Sequence, residues 1–303
     1  MSLAQIEAVT DSIQIEEGGS LAKDAWRQLR RDPVAILGFA LIAFFVLVAI
    51  FAPWIAPYEP TDFPGQGTVT PTNIPGPSAE YWFGLDQLGR DEFSRVVYGA
   101  RQSLLVGVVS LLLGMLGGLL LGLLAGTFGG WVDSVIMRIV DIMLSIPGLL
   151  AAIGIAALLG PSLRSVMIAI AVINVPIFAR LLRGQMLAQR ESDYVLAATS
   201  LGVRRRSVVL GHVVPNSISP VIVQATLTLA TAIIEAAGLS FLGLGSPDPG
   251  VPEWGRMLAD TQRFLASAPH LAFFPGMAIV IAALGFTLLG ERLREALDPK
   301  YRR

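Results

Sequence analysis

The stretch VAILGFALIAFFVLVAIFAPWIA, Val34 to Ala56, runs for 23 residues without a charged side chain. A helix that crosses the hydrocarbon core of a bilayer needs about 20 consecutive apolar residues, so this stretch reads as a membrane span. Working outward, five more segments meet the same description: Leu104 to Phe128, Val135 to Leu159, Ser165 to Leu182, Ser217 to Leu239 and Leu271 to Leu289. Composition agrees. The chain is 53% hydrophobic and 15% charged, with a mean hydropathy of +0.65, against about 45 to 50% and 25% for soluble domains. The fold class expected is an all-α membrane protein of six transmembrane helices.

The acidic and basic residues Glu16, Glu17, Asp24 and Asp32, and Lys23, Arg27, Arg30 and Arg31, lie before the first span. No small-residue cleavage site follows a short apolar run there, so the first span is expected to stay in the mature chain. Residues 1–33 form a cytoplasmic N-terminal segment and 34–303 the six-span domain. Orientation follows from Lys and Arg, which are retained on the cytoplasmic side. With the N-terminus inside, the inner segments hold the four basic residues just named, then Arg180, Arg183, Arg190, Arg204, Arg205 and Arg206, then Arg292, Arg294, Lys300, Arg302 and Arg303. The outer segments hold only Arg90, Arg95, Arg101, Arg164, Arg256 and Arg263. Both termini are therefore expected in the cytoplasm. A net charge of -1 offers no basic face for nucleic acid, and the absence of cysteine excludes disulfides, thiol catalysis and Cys-ligated metals.

Three connections are too long for simple turns. The outer loop 57–103 ends in a polar stretch, Asp91 to Arg101, whose Phe93, Val96, Val97 and Ala100 recur at helical spacing; it is expected as a short helix on the outer surface. The outer segment from Phe241 to His270 contains GLGSPDPGVPEWG, whose prolines forbid one continuous helix, and it is expected to fold back toward the pore mouth. The inner loop 183–216 reads as an elbow: a helix from Asp193 capped by Gly202, three arginines, then a second short helix ending at Pro215.

Several residues carry two readings. Ser110, Gly114, Gly118, Gly122 and Gly126 make a strip of small residues at intervals of four on the second span. Such strips let helices approach closely in lipid; packing within the subunit is preferred over packing on a second subunit. Glu235, near the outer end of the fifth span, is either a pore-facing carboxylate for a substrate amine or a hydrogen-bonding anchor for the folded-back loop, and the architectural role is preferred. Asn174 is expected in an interhelical hydrogen bond before contact with cargo, and Arg138 with Asp141 in an intrahelical pair. GLDQLGRD, Gly84 to Asp91, imitates a phosphate loop but has Arg and Asp where Lys and Ser or Thr are required. His212 and His270 lie on opposite predicted sides and make no shared metal site. Ser145 and Ser165 have no His or Lys partner within the spans, which argues against a membrane enzyme. A secondary transporter would need inverted repeats or ion-binding acids at mid-span, and neither is evident.

The elbow LAATSLGVRRRSVVLGHVVP, Leu196 to Pro215, resembles the cytoplasmic signature of ABC importer permeases. Ala197, Ala198, Gly202 and Pro215 match at the family spacing, while Leu196 stands where glutamate is usual and His212 where isoleucine is usual. YWFGLDQLGRDEFSRVVYGARQSLLVG, Tyr81 to Gly107, together with DIMLSIPGLL from Asp141 and GLSFLGLG near Leu239, is similar to the second (C-type) membrane subunit of dipeptide, oligopeptide and nickel importers. The likeness runs from Arg31 to Arg303. It implies a type I ABC importer permease of the prokaryotic inner membrane, not an enzyme, with Ala197, Ala198, Gly202 and Pro215 forming the contact with the ATPase. It further implies a heterodimer with a homologous permease, two ATPase subunits or domains that bind ATP and Mg, and an extracytoplasmic substrate-binding protein. No cofactor is expected in this chain. Short peptides are the expected cargo, with nickel complexes or haem as alternatives in the same branch.

Overall fold

The computed structural model describes residues 21–70 and 73–297; the first 20 residues of the N-terminal segment, and Lys300, Arg302 and Arg303 among the predicted inner charges, lie outside them. A short amphipathic helix α1 (Leu21–Leu29) precedes the first span α2 (Pro33–Ile55). Asp32 caps α2, its carboxylate accepting from the amides of Val34 and Ala35 at 2.8 and 2.9 Å, and Pro33 sits where its missing N–H costs nothing. Only Ala35, Gly38, Phe45 and Ala52 of α2 are buried, which leaves most of its apolar surface facing outward, as lipid requires.

The second span differs from expectation at its start. Helix α3 runs unbroken from Glu92 to Phe128, so the stretch Asp91 to Arg101 is no separate surface helix. It forms the first turns of the span itself, with Glu92, Ser94, Arg95, Val97 and Ala100 buried. No proline interrupts the sequence between Asp91 and Phe128, and the Asp91 cap, accepting from the Ser94 amide at 2.8 Å, starts the helix three turns before the apolar run.

The expected third span is two helices, α4 (Gly130–Ser145) and α5 (Gly148–Leu159), bent by 92° at the break. Pro147 excludes the helical conformation from the residue before it, and Ile146 is extended at φ -92° and ψ 131°. Counting that pair as one span gives six; the other five are α2, α3, α6 (Leu163–Arg190), α10 (Ser219–Phe241) and α12 (His270–Leu297). Helix α6 extends well past Leu182, so the connection to α10 begins at Glu191. There α7 (Asp193–Ser200), α8 (Arg205–Val208), a π turn (Val209–Val213) and α9 (Val214–Ser217) lead into α10. On the other side the chain turns through 242–253 into α11 (Trp254–Thr261). No strand forms among the described residues, only the isolated bridges Thr70 to Asn73 and Leu85 to Asp91.

The small-residue strip packs inside the subunit, against α6. A Cβ built on Gly114, Gly118 or Gly122 would lie 2.7, 2.6 or 2.7 Å from the carbonyl oxygen of Ala171, Val175 or Ala179, and one on Gly126 would lie 2.7 Å from the Met186 sulfur. The two helices thus meet backbone to backbone at three successive turns and backbone to side chain at a fourth, the close contact that drives association where lipid offers no hydrophobic effect.

Candidate functional site

The connection between α6 and α10 is built like a lever. Helix α7 closes in a Schellman cap: the Gly202 amide donates to the Thr199 carbonyl at 3.0 Å and the Val203 amide to the Ala198 carbonyl at 3.1 Å. That geometry places Gly202 at φ +77°, a conformation that costs a side chain dearly and glycine nothing. The second arm does not stop at Pro215 as the sequence suggested. Pro215 has no amide hydrogen and clashes with the carbonyl four residues back; the helix absorbs the fault with the π turn, in which the Val214 amide reaches the Val209 carbonyl, and continues to Ser217. Such turns are inserted where a helix register must change.

The two faces of this lever differ. Val195, Val208, Val209 and Val213 are buried with Leu111, Phe178, Leu182, Met186 and Val221 of the spans, and Ala198 packs against them. Each valine withdrawn from water stabilises the contact by roughly 1.5 to 3 kcal/mol. The outer face presents Leu196, Val203 and Leu210, with Leu201 84% exposed, and Ala197, Gly202 and Pro215 are also exposed. Four large apolar side chains are thus left bare on one connector.

Arginines of α6, and Arg205 of the lever, tie this end of the bundle together. Arg190 and Arg205 both donate to the Thr127 carbonyl at 2.7 Å, at the C-terminal end of α3 where the helix dipole favours cations. Arg183 holds Asp133 of α4 through two bonds of 3.0 and 2.6 Å. Asp141 pairs with Arg180 of α6, which corrects the expected pairing with Arg138 on its own helix: the approach of α6 supplies a closer partner than the i, i+3 neighbour.

At the opposite end, the loops before α3 and after α10 are tied by a buried ionic cluster that sequence reasoning missed. Asp86, Arg90 and Arg95 are at most 3% exposed. Asp86 Oδ2 lies 2.6 Å from Arg90 Nε and 3.5 Å from Arg95 Nε. Both guanidinium groups converge on the Pro249 carbonyl, and Arg95 also reaches that of Pro60. The loop 242–253 is drawn down in this way, and Trp254 completes the seal, its indole donating to the Val96 carbonyl at 2.9 Å. Gly84 to Asp91 is therefore a charge-filled turn consumed by internal contacts. The available signal was the density of charge in a segment between spans, which a hydropathy reading treats as solvated.

Residues 118–303 match the family described as binding-protein-dependent transport system inner membrane component, and residues 20–73 match the N-terminal transmembrane domain of oligopeptide transport permease C. The chain belongs to this family of transport permeases. The permease is 48% identical over 279 residues to the dipeptide transport system permease protein DppC of Alkalihalophilus pseudofirmus, covering 92% of this chain and 90% of that one. It is 44% identical over 275 residues to the glutathione transport system permease protein GsiD of Escherichia coli, covering 91% and 89%. Among solved structures, an inward-facing MetNI methionine ABC transporter superposes with a TM-score of 0.54 at 20% identity, over 67% of this chain and 96% of that one. A chain of an amino acid ABC transporter gives 0.53 at 16%, over 66% and 92%. These confirm the fold of a type I importer permease. The permease is a multi-pass inner-membrane protein.

Two predicted residues of the permease lie differently from expectation. Asn174 is 3% exposed and donates to the Ile170 carbonyl of its own helix at 2.8 Å, with no bond to another helix among the described residues; its Cβ packs opposite Gly114. Glu235 does not anchor the loop 241–255: its Oε2 is buried with no hydrogen-bond partner among the described residues. The anchoring falls to Arg256, which donates to the Ser246 carbonyl at 2.6 Å, and to Glu253, which caps α11 through the amides of Gly255 and Arg256. Ala197, Ala198, Gly202 and Pro215 lie on one connection, spread over α7, the turn that follows it and α9, whereas Glu235 lies in α10 and Asn174 in α6.

Proposed function

We propose that this permease pairs with a homologous permease to enclose a translocation path for short peptides, and that two ATPase subunits drive it through the α7 to α9 lever. Both termini are then cytoplasmic, and an extracytoplasmic binding protein delivers cargo to the side sealed by Asp86, Arg90 and Arg95. The observation that carries the reading is the two-faced lever. Its valines are packed into the core of the spans, while Leu196, Leu201, Val203 and Leu210 are left bare, so a partner that grips the bare face moves α6 and α10 with it. ATP and Mg reside in the partner, and binding energy from its closure shifts the permease between two packed arrangements. Cargo of peptide type is supported by the relatives named for dipeptide and glutathione transport, both short peptides, in preference to nickel complexes or haem.

Affinity purification of the tagged permease from its native membrane, followed by reconstitution and uptake of a labelled dipeptide, tests this. Co-purification of a second permease and an ATP-hydrolysing subunit, with uptake that stops when ATP is withheld, is the expected result. A solitary permease that carries out uptake without ATP would overturn the reading and revive an ion-coupled mechanism.

A further inference from the structure

Helix α1 lies just outside the first span and is strongly amphipathic. Its Ala25 is buried and the helix packs on α12, while Trp26 stays 51% exposed with the Arg30 guanidinium 4.7 Å above its ring. Two recesses open at the junction of α1 with α2. One, of about 570 Å³, is lined by Arg27, Gln28, Arg31, Asp32 and Pro33. The other, of about 260 Å³, is an apolar cleft walled by Trp26, Leu29, Ile36, Phe39 and Leu289, with Arg30 among its walls.

Charge is not balanced here. Asp32, the acid in the polar recess, is committed to capping α2 and lies 3.8 Å from Arg292, which also holds Glu295 at 2.6 Å. Arg27, Arg30 and Arg31 are exposed and form no ion pair with any described side chain. The apolar cleft is continuous with the outward face of α2, where Ile36 and Phe39 are 51% and 58% exposed. A soluble anion has no use for that face. An amphipathic helix with a tryptophan and clustered arginines at the end of a span is placed at the headgroup level of a bilayer, where basic residues attract anionic lipid.

We propose that the α1 to α2 junction is a binding site for an anionic phospholipid, its phosphate held by Arg27, Arg30 and Arg31 and one acyl chain lying along Ile36, Phe39 and Leu289. The site uses no residue of the lever or of the outer seal, and it holds whatever the direction or cargo of transport. It also gives α1 a role: a lipid bridging α1, α2 and α12 fixes the first span against the last.

The test is native mass spectrometry of the full-length permease complex titrated in detergent with phosphatidylglycerol or with phosphatidylcholine of the same acyl chains. Retention of phosphatidylglycerol at least tenfold stronger is expected. R27Q/R30Q/R31Q should weaken it by roughly fivefold per arginine and leave phosphatidylcholine unchanged, with a melting curve checking that the variant is folded. R204Q/R206Q, which removes exposed charge on the lever, should retain the preference. Equal retention of the two lipids, or a preference that survives R27Q/R30Q/R31Q, overturns the proposal. So does displacement of phosphatidylglycerol by its water-soluble headgroup at equal concentration, which would mean that the cleft contributes nothing. Residues 1–20 carry Glu7, Asp11, Glu16 and Glu17; a preference that emerges only when they are deleted would make that acidic segment the occupant and sink the lipid site.

Discussion

Replacing Gly202 by valine perturbs the lever first at one backbone torsion. A Cβ at this position meets no atom of the described residues within 4 Å, so the β-carbon has room. The cost is conformational: φ is +77°, and an L residue with a Cβ in the left-handed region costs about 1 to 2 kcal/mol, with a β-branched side chain at the upper end. At 1.4 kcal/mol per tenfold, the capped geometry that orients Leu201 and Val203 loses roughly 5- to 30-fold in population. Asparagine tolerates that region by bonding locally, so G202N should retain most of the geometry although its side chain is as large as valine's. The assay is co-purification of the ATPase subunit with each tagged variant, followed by ATP-driven uptake in proteoliposomes. G202V should fall in both by that factor while G202N stays within about threefold of the parent. If G202V assembles and transports like the parent, the cap does not orient the contact. If G202N fails as badly as G202V, side-chain volume at the partner's surface, and not backbone torsion, is what matters.

The strip on α3 gives a stability prediction with an internal control. G118A puts a methyl 2.5 Å from the Phe178 Cβ and 2.6 Å from the Val175 carbonyl, and should destabilise by about 1 to 3 kcal/mol, whereas G184A on α6, with open space around it, should be neutral or stabilising; equal melting temperatures in detergent would refute the backbone contact. R190Q/R205Q removes both donors to the Thr127 carbonyl and should cost about 1 to 3 kcal/mol in total, Arg205 giving less because it is exposed. The expected readout is ATP hydrolysis that continues while uptake per ATP falls, and an unchanged ratio would show that the clamp transmits nothing. Burial pushes the Glu253 carboxyl up, opposed by the amides of Gly255 and Arg256 and by the Arg256 charge. Because the folded value is raised, its stabilising contribution is complete below the ordinary value of 4.5 and is lost as pH climbs through the raised one. E253Q should flatten that decline in a pH series of melting curves, and an identical pH profile in parent and variant would count against it.

The apolar runs alone determined the membrane class and the approximate place of each span, because bilayer thickness sets a length and lipid forbids unpaired backbone. The strip at Gly114, Gly118, Gly122 and Gly126 and the stop at Gly202 were equally legible, since both rest on the missing Cβ of glycine and act over one or two turns. Pro147 was visible too, but a proline states only that its neighbour is not helical; the 92° bend depends on what α4 and α5 pack against. Ionic partners were the least legible. Asp141 was expected to take its neighbour Arg138 and took Arg180 across 39 residues; Arg205 reached Thr127 across 78, and Arg95 reached Pro249 across 154. Glu235 was expected to hold the outer loop, and Glu253 and Arg256 hold part of it instead. Transfer to lipid and backbone torsion are properties of a residue and its near neighbours, so a sequence carries them. Which charge meets which carbonyl depends on which helices lie side by side, and only the assembled bundle settles that.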